Sequence, residues 1–203
     1  MEALYYYWSI WFVWIMVTFI MEKSTWRNVL GVCVLIHIIC SHVMVSILDI
    51  RINAGFLMTF LYACMSFVIF RPAHRIMRIM RIMQLGSMVS AYAFFMIFAL
   101  YDPVWFTIIK VDWVVFALLI LMCLTYGHQL TERITLWMMA ICLGEALYAL
   151  TIHRLTSSIV IGDLSFLSMA VQGAVFLLGV GQLEKLLNTR SSRKPVKGAA
   201  KST

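Results

Sequence analysis

One acid stands inside an otherwise apolar run: Glu145, in Cys142-Leu143-Gly144-Glu145-Ala146-Leu147-Tyr148. A charge at the centre of a bilayer costs about 2.5–3.5 kcal/mol on insertion scales, so an ionisable residue there marks a functional position by default. Such a carboxyl should face neighbouring helices and find a partner. The candidate partners are His37 and His42 in the run 29–48, and Tyr148, which lies one helical turn from Glu145. Two readings stay open: a paired structural carboxyl, or one that binds a proton or a ligand.

The histidines carry a second pattern. Cys33, His37, Cys40 and Ser41 share one helical face, and His42 and Ser46 form an adjacent ridge. Cys and His together suit a metal, but one helix cannot close a tetrahedral site and no second Cys/His cluster completes it. No metal and no cofactor is therefore expected, and interhelical hydrogen bonding is the reading for these residues. The five cysteines, an odd number lying within apolar runs, do not suggest a disulfide framework.

The segment Arg71-Pro72-Ala73-His74-Arg75-Ile76-Met77-Arg78-Ile79-Met80-Arg81 repeats Arg-Ile-Met three times. Pro72 suits the first position of a helix. On that helix Arg71, Arg75 and Arg78 share a face with Arg81 nearby, and Ile and Met cover the other side. Such a basic amphipathic start lies at a membrane interface. Each Arg near an anionic leaflet adds about 1 kcal/mol of attraction. The four arginines are orientation signals or contacts for an anionic lipid. Nucleic acid is not expected, because topology accounts for the net charge of +7.

Three further acids, Asp102, Asp112 and Asp163, precede apolar stretches and read as helix caps, with Pro103 starting a turn after Asp102. The alternative is an outer-facing site built from them. There is no G-x-S-x-G, H-E-x-x-H or G-x-x-x-x-G-K-[ST] pattern, so no enzyme is expected.

The elements that must hold these residues follow from composition. Hydrophobic residues are 63 % of 203 and charged residues 12 %, against roughly 45–50 % and 25 % in soluble domains. An all-α polytopic transmembrane bundle is expected. Seven runs approach the length of about 20 residues that spans a bilayer: 3–21, 29–48, 54–70, 82–101, 113–129, 134–152 and 164–183. With the N-terminus outside, the inner segments carry Lys23, Arg27, Arg71, Arg75, Arg78, Arg81, Arg133, Lys185, Arg190, Arg193, Lys194, Lys197 and Lys201, and the outer ones only Arg51, Lys110 and Arg154. That asymmetry predicts an outer N-terminus and an inner C-terminus. No basic n-region or A-x-A site marks a cleaved signal peptide. Residues 184–203 read as a disordered basic cytoplasmic tail. Small residues four apart, Gly86/Ser90, Ala140/Gly144 and Ala170/Ala174, predict close helix contacts.

Several pieces carry a resemblance: Tyr7-Trp8-Ser9-Ile10-Trp11 with Thr18-Phe19-Ile20-Met21, then Tyr101-Asp102-Pro103-Val104-Trp105, Gly144-Glu145-Ala146-Leu147-Tyr148-Ala149 and Ile161-Gly162-Asp163-Leu164-Ser165-Phe166-Leu167. In this order the chain resembles the YphA-type family of small membrane proteins from Bacillus and related bacteria. The resemblance implies a polytopic helical fold in a bacterial plasma membrane and carries over no catalytic residue. It draws attention to Asp102, Gly144, Glu145 and Gly162.

The expected function is non-enzymatic: a binding or accessory protein for a small or lipid-like ligand or a membrane partner, in a bilayer with an anionic inner leaflet, alone or as a homo-oligomer. The alternatives are a substrate-binding subunit of a multi-component importer, and a proton or ion pathway through Glu145, His37 and His42.

Overall fold

The computed structural model describes residues 2–47, 50–127, 129–153 and 159–192. Seven α-helices dominate them: α1 Glu2–Ile15, α2 Thr25–Cys40, α3 Ala54–Ile69, α4 Arg75–Tyr101, α5 Val111–Tyr126, α6 Leu130–Ile152 and α7 Leu164–Ser192. A π-helical segment, Met16–Ile20, extends α1, and a 3-10 turn, Pro103–Phe106, follows α4. In α4, α6 and the Leu164–Leu187 part of α7, length and hydropathy suffice to cross a membrane, and the other four are shorter apolar helices.

Local chemistry starts several of these helices. Ser24 accepts from the Arg27 amide at 3.2 Å at the head of α2, and Asn53 accepts from the Gly55 amide at 2.7 Å at the head of α3. Gln129 and Glu132 form a reciprocal capping box on α6. Asp163 accepts from the Phe166 amide at 2.8 Å and caps α7, as its position predicts. The other two acids behave differently. Asp102 makes no side-chain cap bond to the turn begun by Pro103, and α5 starts at Val111, so Asp112 sits in its first turn instead of capping it.

The all-α expectation needs one correction. The run 29–48 is not a single helix: α2 ends at Cys40, and Met44–Ile47 (β1) pairs antiparallel with Ile50–Asn53 (β2). Ile159–Ile161 (β3) then adds to β2 in parallel, giving the order β1-β2-β3. The alternation of Val45-Ser46-Ile47 and Ile50-Arg51-Ile52 favours strands, although overall apolarity fits a span equally well. The fully buried Asn53 fixes the corner by donating to the Ser41 carbonyl at 2.9 Å. His42 therefore lies in the turn after α2 and not on a helical ridge.

Helix α6 is the centre of the bundle, packed against α3, α4, α5 and α7, while α1 lies on α7 and α2 bridges α1 and α3. Glycines set two of these contacts. A Cβ at Gly144 would stand 2.6 Å from the Tyr92 ring, and one at Gly173 would stand 2.0 Å from the Trp137 ring. Trp137 is fully buried there and donates its indole N–H to the Ala170 carbonyl at 3.1 Å. The small pairs on α6 and α7 thus form seams, whereas Gly86 and Ser90 face outward, with open space around Gly86.

The expected tail also begins later than 184. Helix α7 runs on to Ser192, and Glu184 pairs with Arg133 at 2.7 Å. Residues 193–203 of that tail lie outside the described residues.

Candidate functional site

The site starts from two adjacent residues on α6. Gly144 has no side chain, so Tyr92 of α4 packs directly against the helix there. Glu145 is 6 % exposed and accepts the Tyr92 hydroxyl on Oε2 at 2.7 Å. The Gly162 amide approaches Oε1 at 3.4 Å. Gly162 has φ +70°, and a Cβ on it would stand 2.2 Å from Phe56. Both the left-handed backbone and the close approach require glycine. The two glycines therefore bring one hydroxyl and one amide to the same carboxyl.

Beside this carboxyl lies a cavity of about 450 Å³ at the end of the bundle where α4 and α6 finish and α5 and α7 begin. Asp112, Asp163 and Ser165 line it together with Glu145, and Tyr92, Tyr148 and Phe166 supply aromatic walls. Among the described lining residues there is no Lys, Arg or His. Asp112 and Asp163, two of the three candidate capping acids, thus share one cavity with Glu145, and Tyr148 belongs to it as well. Asp102 is not among its lining residues. Such a wall accepts hydrogen bonds and attracts positive charge.

The expected pairing of Glu145 with His37 or His42 is not what forms. His37, 8 % exposed, sits between α1 and α3. Its Nε2 is 2.9 Å from Thr59 Oγ1, and its Nδ1 is 2.9 Å from the Tyr6 hydroxyl. Thr59 gives its own proton to the Gly55 carbonyl at 2.8 Å. The threonine oxygen must then accept from Nε2–H, which leaves Nδ1 to accept from Tyr6. Outside this chain, His42 meets the Tyr7 hydroxyl at 3.0 Å with the two rings stacked. His37 lines a different groove of about 530 Å³, mostly apolar, between α1, α2, α3 and α7.

The partner that forms is Tyr92, which the sequence pattern does not single out. Its signal is faint: one of four hydroxyl-bearing residues in the uncharged run 82–101, with Ser87, Ser90 and Tyr101, and flanked by Ala91 and Ala93. A buried tyrosine hydroxyl needs a partner, and this alone could have singled it out.

The arginine segment is rearranged too. Helix α4 starts at Arg75, after His74 and not at Pro72, so Arg71 lies off the helix. Arg71 and Arg75 are exposed and Arg78 is half-buried, whereas Arg81 is 5 % exposed. The Arg81 guanidinium lies 4.9 Å from the centre of the Phe67 ring, and Nη1 donates to the Phe70 carbonyl. Among the described residues no group of three or more His, Cys, Asp or Glu side chains is placed to hold a metal ion. All five cysteines are free.

A family model described as YphA-like integral membrane protein matches residues 2–201. A Bacillus subtilis (strain 168) protein described as "Uncharacterized protein YphA" is 34 % identical over 203 residues, covering 99 % of each chain. No solved structure matches the chain.

Proposed function

Because the chain belongs to the family of YphA-like integral membrane proteins, we propose that it is a multi-pass bacterial plasma-membrane protein that binds a small ligand in the Glu145 cavity without transforming it. Seven spans with an outer N-terminus fit the alternation of the helices. The starts of α1, α3, α5 and α7 then share the outer end with the cavity, and the Arg71–Arg81 segment falls at the inner end.

The observation that carries this reading is the juxtaposition of Glu145, Asp112 and Asp163 around one space of about 450 Å³, a size within the roughly 300–1,000 Å³ of small-molecule sites. A lining with three carboxyls and, among the described residues, no Lys, Arg or His selects a ligand that is cationic or rich in hydrogen-bond donors. The aromatic faces of Tyr92 and Tyr148 suit a cation further. The Tyr92 and Gly162 donors hold Glu145 in place before any ligand arrives, which lowers the ordering cost of binding.

The test is native mass spectrometry of the protein purified in mild detergent, wild type beside Glu145→Gln. A retained small molecule that disappears in the variant, with the fold intact, supports the reading. Equal retention in both proteins, or none from the wild type, overturns it. Nothing in the geometry favours a continuous proton path, since Glu145 and His37 belong to separate hydrogen-bonded groups.

A further inference from the structure

A second cavity lies at the opposite end of the bundle, where α4 and α6 begin and α5 ends. It has a volume of about 200 Å³, and Arg81, Gln84, Tyr126 and Glu132 line it, with Met77 and Met80 at its edge toward the outside of the bundle. Arg81 is the unusual member. Of its five N–H donors, Nη1 donates to the Phe70 carbonyl, but Nε and Nη2 are buried and have no hydrogen-bond partner among the described residues. Glu132 is a charged neighbour of this guanidinium but makes no hydrogen bond to Nε or Nη2, and buried donors left unspent carry a desolvation penalty that a bound anion would relieve. Nε and Nη2 also form one edge of the planar fork, the edge that grips two oxygens of a phosphate or carboxylate at once.

We propose that this cavity binds a phosphate group, held side-on by Arg81. Arg71, Arg75 and Arg78 stand on the same segment and raise the local concentration of anions without entering the cavity. Glu132 in the lining disfavours a dianion, so a singly charged phosphodiester fits better than free phosphate. The exposed side chains of Met77 and Met80 offer an apolar surface for what a lipid phosphodiester carries with it. Among the four arginines of the segment, Arg81 is then a site residue and the other three supply general attraction. This site is independent of the Glu145 cavity.

The experiment titrates the detergent-purified full chain with dioctanoyl phosphatidylglycerol and, separately, with inorganic phosphate, by microscale thermophoresis. Saturable binding of the lipid should weaken more than about tenfold in Arg81→Gln, the scale of one lost bidentate contact, and less than about threefold in Arg75→Gln. Arg81→Lys keeps the charge without the fork and should also weaken binding. Saturable binding of inorganic phosphate with the same Arg81 dependence supports the site and identifies a soluble phosphate as its source. Equal losses in Arg75→Gln and Arg81→Gln overturn the proposal in favour of diffuse surface attraction, as does an absence of saturable binding for both probes. Should Arg81→Gln fail to fold, Gln84→Trp fills the cavity with Arg81 intact. It should abolish binding, and wild-type affinity in that variant overturns the proposal.

Discussion

Glu145 and His37 are both ionisable, both buried on apolar helices, and differ in what their hydrogen bonds leave over. Each ring nitrogen of His37 has one partner, and the chain from Tyr6 through His37 and Thr59 ends on the Gly55 carbonyl. No donor in that chain is spare, and neither is a ring nitrogen. A carboxylate, by contrast, offers about four acceptor positions. Glu145 uses them for one hydroxyl and one distant amide, beside a cavity with two further acids. A costly polar group in a membrane span is thus not enough to identify a site. Capacity left unused next to a space is what distinguishes Glu145 from a histidine that ties three helices together.

Variants can break this distinction. The largest effect is expected where the seam itself is overfilled. Gly144→Leu drives its side chain into the Tyr92 ring, already 2.6 Å from where a Cβ would stand. It should cost about 3 kcal/mol, at the upper end for overpacking, and lower the thermal midpoint in detergent most of all. His37→Leu comes next: it leaves the buried Tyr6 hydroxyl without its acceptor, which costs about 1–3 kcal/mol, with no change in ligand retention. Should His37→Leu release the ligand while leaving the melting temperature unmoved, the two regions have been assigned the wrong way round. Tyr92→Phe removes one hydroxyl bond and should cost about 1 kcal/mol by thermal melting, with weakened ligand retention because Glu145 loses its anchor. The smallest effect is expected for Glu184→Gln. Its pair with Arg133 is half exposed on the glutamate side, and removing it should shift stability by less than about 1 kcal/mol. A larger shift would show that the end of α7 is integral to the bundle.

Much of this molecule is legible along the chain, and the reason is local. Most of each apolar run becomes helical on its own account, the end of 29–48 excepted, because a backbone in lipid must satisfy its own polar groups. The caps at Asn53 and Asp163 act within three residues. Gly144 and Glu145 stand out as a small residue beside a costly one, and Asp163 and Tyr148 reach the cavity from positions that the chain already marks. What could not be read are the relations between distant segments. Val45, Ile50 and Ile52 suit a strand or a span equally well, and the parallel pairing of β2 with β3 joins residues near 51 to residues near 160. Arg81 and Arg75 look alike in the repeat, and the tertiary packing buries only Arg81, against Phe67 on the preceding helix and the Phe70 carbonyl just after it.

Membrane residence and helical class come from transfer free energies, which each residue carries wherever it sits. Partnership is not carried that way. Tyr92 and Glu145 lie 53 residues apart, Glu145 and Gly162 lie 17 apart, and Asp112 reaches the same cavity from a third helix. A hydrogen bond depends on ångström distances between groups, and those distances exist only once α4, α5, α6 and α7 are packed around Gly144.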